Sequence, residues 1–215
     1  MFYDALKNDH GLPHDPFKAL VVPRPIGWIS SLAPDGTVNL APYSFFNAMA
    51  TDPHYVLFGS AGRKDSQRNI EETGEFVCNL ATWDLREEMN RSSAAVRADV
   101  DEIALAGLTP APCERVRPPR VKEAPAALEC VYDRTITLEG AEGPDGHHPY
   151  AIVLGKVVGI HIDDSYIRNG LVDTAAMKPI ARCGYMDYAV VTELFQMRRP
   201  DVDGDRGAIV KRETT

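Results

Sequence analysis

Two apolar runs, IGWISSLA (26–33) and VNLAPYSFFNAMA (38–50), flank the tetrapeptide PDGT (34–37). Proline presets the first corner of a turn, and glycine accepts a positive φ that other residues resist. Apolar strands joined this tightly pair antiparallel, because a parallel pair needs a crossover of a dozen or more residues. The hairpin therefore predicts strands over 26–33 and 38–50, the second bending at Pro42. HYVLFGS (54–60) and EFVCNLA (75–81) read as further strands, and Gly74 as the glycine that ends a helix before the second of them. ALECVYDRTITLEG (127–140) and YAIVLGKVVGIHID (150–163) form another hairpin through GPDGHH (143–148). About seven strands with few helices argue for a closed or partly closed antiparallel barrel. Neither GxGxxG nor GxxxxGK[ST] occurs, and strands do not alternate with helices, so a doubly wound nucleotide domain is excluded.

The middle of the chain changes character. In WDLREEMNRSSAAVRAD (83–99), Leu85, Met89, Ser92 and Val96 recur at helical spacing and predict a helix. GLTPAPCERVRPPRVKEAP (107–125) is dense in proline and predicts a long surface connection. The organisation is an N-terminal segment (1–17), one domain (18–197) and a polar, loosely ordered C-terminal tail (198–215).

Charge narrows the partners. A net charge of -8 over 215 residues argues against general binding to nucleic acid or an anionic membrane surface. No run approaches the roughly 20 apolar residues of a membrane span. The start MFYDALKNDHG lacks a basic cluster before an apolar run, so a cytoplasmic protein is expected. Cys78, Cys113, Cys130 and Cys183 are widely separated and form no CxxC, so they predict reduced thiols, and no metal site is assigned.

Two stretches carry chemistry. In GRKDSQRNI (62–70), a glycine leads through Arg63 and Lys64 into a helix start. The first amides of a helix lack internal partners and carry partial positive charge, so a phosphate is held well there. Arg63 and Lys64 add charge, Ser66 adds a hydroxyl donor, and Asp65 fits as the N-cap. An ordinary capped helix with solvated cations would carry the same residues. In the second stretch, Ser44 and Asn47 fall among Tyr43, Phe45, Phe46 and Met49. A side-chain amide among aromatics can read the edge of a flat heterocycle, and equally it can satisfy the backbone of a bent strand.

RPIGWISSLAPDGTVNLAPYSFFNAMATDP, then GRKDSQRNIEETGEFVCNLA, then LAGLTPAPCERVRPPRVKEAPAALEC, VLGKVVGIHIDD and KPIARCGYMDY, together resemble the flavin reductase-like domain family, and within it the flavoredoxin-like members. The resemblance implies a mainly β, FMN-binding split β-barrel, Greek-key and antiparallel, with peripheral helices. It implies a homodimer with FMN near the interface. It implies phosphate binding at Arg63, Lys64, Asp65 and Ser66. It implies that the flavin ring lies against Trp28, Ile29, Ser30 and Ser31 and against the run Ala41, Pro42, Tyr43, Ser44, Asn47, Ala48, Met49 and Ala50. Arg182 in PIARCGYMDY matches a motif near the same region. Lys156 departs from the pattern, standing where the family usually has an acid. The expected activity is that of an NAD(P)H-dependent flavin oxidoreductase. NADH or NADPH is the transient donor, the chemistry is flavin-borne with no catalytic side chain, and electrons pass on to a second acceptor such as a partner protein. The alternatives are an FMN-bound electron carrier reduced by a protein donor and a non-catalytic flavin-binding dimer.

Overall fold

The structure, a computed structural model, describes residues 1–144 and 146–200, so most of the expected tail lies outside the described residues. In chain order the elements begin with α1 (Phe17–Leu20), β1 (Arg24–Pro25), β2 (Gly27–Leu32), β3 (Val38–Tyr43), β4 (Phe46–Thr51) and β5 (His54–Ala61). Next come α2 (Asp65–Thr73), β6 (Glu75–Leu80), α3 (Arg86–Arg91), α4 (Glu102–Ala106), β7 (Pro110–Ala111) and β8 (Arg120–Val121). The long strands β9 (Ala126–Glu142) and β10 (Pro149–Ile162) follow, then β11 (Ile167–Arg168), β12 (Leu171–Val172), α5 (Thr174–Met177), β13 (Ile180–Gly184) and β14 (Asp187–Val190).

Seven strands form one antiparallel sheet in the order β3-β2-β6-β9-β10-β5-β4. Its two edge strands, β3 and β4, are consecutive in the chain and separated only by Ser44 and Phe45. Three peptide steps span at most about 11 Å, so the sheet must curl until its edges meet. Gly59 N–H donates to Phe45 O at 2.7 Å, carrying the β4–β5 ladder into this link. The result is a split barrel with peripheral helices, as the resemblance implied. A second, three-stranded sheet, β1-β13-β14, lies beside the seam.

Side chains alternate across the wall, as strand geometry requires. Inward-facing Ile29, Tyr43, Val56, Phe58, Phe76, Cys78, Cys130 and Val153 form the barrel core, and Ile70 of α2 joins them. A second core, with Trp28, Leu40, Met89, Ile103 and Val121, lies outside the wall beneath α3 and α4. Each fully buried large side chain contributes about 1.5–3 kcal/mol. All four cysteines are free thiols, and burial pushes those of Cys78 and Cys113 up, the latter to about 12.

Several sequence expectations change. The return strand does not run through a bend at Pro42; it breaks at Ser44–Phe45 and changes edges of the sheet. The predicted helix over 83–99 is a single 3-10 turn (Trp83–Leu85) followed by α3. Its end at Ser92 has a local cause. Ser92 Oγ donates to Met89 O at 2.8 Å and Ser93 Oγ to Asn90 O at 2.6 Å, and hydroxyls that bind last-turn carbonyls compete with helix propagation. The proline-rich stretch is packed inward, with Val116 and Val121 buried. Beyond the short β7–β8 pair, polar side chains on the outer wall anchor it: Val121 N–H donates to Asn79 Oδ1, Arg115 N–H to Glu129 Oε2, and Ser30 Oγ donates to Pro119 O. The turn Ala33–Thr37 and the Gly74 cap form as expected, with φ of 91° at Gly36 and 78° at Gly74.

Candidate functional site

A groove follows the chain as it leaves β3 and crosses to β4. It comprises three adjoining hollows. The first, about 450 Å³, is lined by Ala41, Pro42, Tyr43, Lys64, Asp65 and Ser66, with Ser92–Val96 and Glu102 opposite. The second, about 250 Å³, shares Pro42, Tyr43 and Lys64 and adds Ser44, Arg182, Lys18, Arg24, Tyr150 and Tyr185. The third, about 470 Å³, shares Lys18, Arg24, Ser44 and Phe45 with the second and is walled mainly by apolar groups, among them Phe17, Val22, Phe46, Leu57 and Ile152.

The middle hollow has an unusual charge. Lys18, Arg24, Lys64 and Arg182 line it, and no carboxylate does. In a chain of net charge -8, four cations gathered without an acid form an electrostatic well for an anion. Lys64 makes no ion pair among the described residues. It holds the N-cap position of α2 in an extended conformation (φ -79°, ψ 169°), with no side-chain cap bond. The unpaired first amides of α2 therefore start beside it. Arg182 Nη1 donates to Tyr188 Oη at 2.7 Å, and Arg182 Nη2 donates to Tyr185 O, so neutral groups hold this guanidinium.

A buried polar network underlies the first hollow. Ser66 Oγ donates to Asn39 Oδ1 at 2.6 Å. Asn39 Nδ2 donates to Glu102 Oε1 at 2.9 Å, and Leu40 N–H donates to Glu102 Oε2 at 3.1 Å. Burial pushes the Glu102 carboxyl above its usual range, against the pull of these hydrogen bonds. Burial also pushes the Tyr43 hydroxyl up to about 12, so it stays neutral and serves as a donor rather than a base.

The structure brings together Ala41, Pro42, Tyr43, Ser44, Asn47, Lys64, Asp65, Ser66 and Arg182 along this groove. Other expected contacts differ. Trp28, Ile29, Ser30 and Ser31 are fully buried, and β2 is paired on both sides, so it has no free edge for a ligand. Trp28 Nε1 donates to Ser92 Oγ at 2.9 Å within the outer core. Arg63 turns away from the groove and pairs with Glu71 at 3.0 Å. Asp65 is the first helical residue, not the cap, and its carboxylate accepts from Arg68 at 2.6 Å. Ser66 is buried, with its hydroxyl committed to Asn39. Ala48 and Ala50 line a separate shallow hollow with His54 and Ile160, and Met49 is exposed. The register shift between Ala48 and Ala50 turns this end of β4 away from the groove. Lys156 sits on β10, opposite Tyr55 and Val131, outside all three hollows. Lys18, Arg24 and Tyr150 were missed. Arg24 had a sequence signal, a cation held between Pro23 and Pro25 just before an apolar strand.

Comparison with known proteins agrees with this architecture. The uncharacterised protein YwrF of Bacillus subtilis (strain 168) is 33% identical over 195 residues, covering 86% of this chain and 94% of that protein. Among solved structures, nitrilotriacetate monooxygenase component B from Bacillus cereus superposes with a TM-score of 0.81 at 32% identity, covering 92% of this chain and 98% of that one. The flavoredoxin of Desulfovibrio vulgaris (Miyazaki F) superposes with a TM-score of 0.72 at 21% identity, over 82% of this chain and 91% of that one, a likeness of fold. Residues 19–178, which contain the barrel core and most of the groove, match the flavin reductase like domain, and the chain belongs to that family.

Proposed function

We propose that this protein is an FMN-binding oxidoreductase that takes reducing equivalents from NADH or NADPH. The observation that carries the reading is the acid-free cationic hollow set directly against an apolar one. The donor set fits a flavin mononucleotide, which has a doubly charged phosphate at one end and a flat, largely apolar ring at the other. Lys64 and the first amides of α2 would hold the phosphate. Phe45, Phe46, Leu57 and Ile152 would pack the ring, and Ser44 and Asn47 would meet its polar edge. Asn47 already orients its amide, since its Oδ1 accepts from Ala48 N–H at 2.8 Å and its Nδ2 protons are left for a ligand.

When bound, the flavin supplies the redox chemistry, accepting hydride from a nicotinamide and delivering electrons to a second acceptor. The side chains bind, orient and stabilise charge. Tyr43 remains neutral, and no residue of the groove is required as a general base. The cations of the middle hollow favour negative charge on any ligand held there. The reading extends to a cytoplasmic homodimer, possessing a partner protein or small molecule as final acceptor. The dimer is supported by exposed apolar residues on one sheet, Val131 and Ile136 on β9, Ile160 on β10 and Met49 on β4; sedimentation as a monomer at micromolar concentration would remove that part.

Anaerobic addition of excess NADH or NADPH to FMN-loaded protein tests the reductase reading. The expected result is loss of the flavin's blue absorbance within the mixing experiment. Absorbance that persists with both nucleotides yet disappears with dithionite would replace the reductase with an electron carrier.

A further inference from the structure

Arg24 and Arg182 are direct partners in the β1–β13 ladder. Like charges directly opposite on neighbouring strands destabilise a sheet. Neither guanidinium has a carboxylate partner among the described residues, and both line the acid-free hollow. Arg24 is only 7% exposed. A guanidinium that deep and uncompensated is costly unless something anionic meets it.

The donors of Arg24 are divided unequally. Nη1 supports three carbonyls, Lys18 O, Val21 O and Cys183 O, which fastens the segment before β1 against β13. Nε is buried and has no hydrogen-bond partner among the described residues, and the three bonds the group makes there all leave from Nη1. Nε and Nη2 form one edge of the guanidinium fork, the side-on edge that binds two oxygens of one anion. The Phe45 ring lies 5.7 Å from Arg24 Cζ and holds the plane of the fork. Lys18 stands on the same lip.

We propose that Arg24 and Arg182 form a clamp for an oxyanion, phosphate or carboxylate, with Arg24 presenting Nε and Nη2 and Lys18 adding charge. An anion bound between them converts a repulsive cross-strand pair into a bridged one. The proposal deepens the flavin reading by adding a second anion-holding group to the groove beyond Lys64. The clamp can serve the phosphate of the flavin itself or the acid group of a second substrate, and the two sources separate by experiment.

The probe is inorganic phosphate alone, added in the low millimolar range while the melting temperature of the full chain is followed. Wild type should show a saturable rise, unlike the unsaturating effect of an excluded salt. Arg24→Lys keeps the charge and a main-chain donor yet loses the fork, so its half-saturation should move up roughly tenfold or more. Arg182→Gln, which leaves the carbonyl contacts of Arg24 intact, should do the same and serves if the Arg24 variant folds poorly. Arg117→Gln, which removes an equal charge from the exposed Glu75 pair, should match wild type. A wild type without a saturable shift, or an Arg182→Gln curve that overlays wild type, overturns the clamp. With wild type shown to respond, displacement of phosphate by FMN and not by riboflavin supports the clamp with the flavin phosphate as its ligand. Continued phosphate binding to FMN-loaded protein supports it with a second substrate's acid. Failure of FMN to bind at all would refute the flavin reading while leaving the phosphate response intact.

Discussion

Lys64→Ala weakens FMN binding by roughly ten- to hundredfold and leaves riboflavin binding nearly unchanged. The size follows from a charge-assisted contact worth about 1.5–3 kcal/mol, where each 1.4 kcal/mol is tenfold in affinity. Lys64 has no acid to lose among the described residues, so the substitution strands no buried charge and its effect on folding is small. Riboflavin is the control because it keeps the ring and lacks the phosphate. Calorimetric titration of both ligands into both proteins measures the difference. Equal loss of both ligands would mean that Lys64 supports the groove rather than the phosphate, and no loss of either would put the phosphate elsewhere.

The largest stability effect is expected at Phe76. Phe76→Ala should lower unfolding free energy by about 3–5 kcal/mol, the usual range for emptying a buried aromatic position. The ring is fully buried in the barrel, edge-on to Phe58 with centroids 6.0 Å apart. The space it fills has a partner in the sequence: a Cβ added at Gly155 would overlap the Phe76 ring, so glycine there is what admits the aromatic. In a domain of this size the loss corresponds to a fall in melting temperature of roughly 6–20 °C. Urea titration followed by tryptophan fluorescence gives the midpoint. A shift under 1 kcal/mol would show that the core collapses onto the vacated volume, and the packing described for the barrel interior would be wrong.

The features legible in the sequence are those with local causes. PDGT set a hairpin because turn chemistry acts within four residues, and Gly74 ended α2 because only a left-handed position was needed there. The order of several separated motifs grouped Pro42, Tyr43, Ser44, Lys64 and Arg182, and the structure sets them along one hollow. Residues whose environment depends on distant chain were misread. IGWISS offers no alternation to show which face is solvent, because both faces of β2 are covered, one by the barrel core and one by α3 and α4. Trp28 and its neighbours therefore looked available when they were structural. Arg63 looked like a phosphate ligand because the sequence cannot show that Glu71, two turns along α2, draws it back. Arg24 was passed over because its meaning comes from Cys183 and Arg182, more than a hundred and fifty positions away.

The most direct measurement is the near-ultraviolet and visible spectrum of the protein after incubation with FMN and passage through a desalting column. A groove built around Lys64 and the apolar hollow of Phe45 and Ile152 predicts that flavin absorbance elutes with the protein at close to one equivalent per chain. Colourless protein, together with a melting temperature indifferent to FMN at saturating concentration, would contradict it.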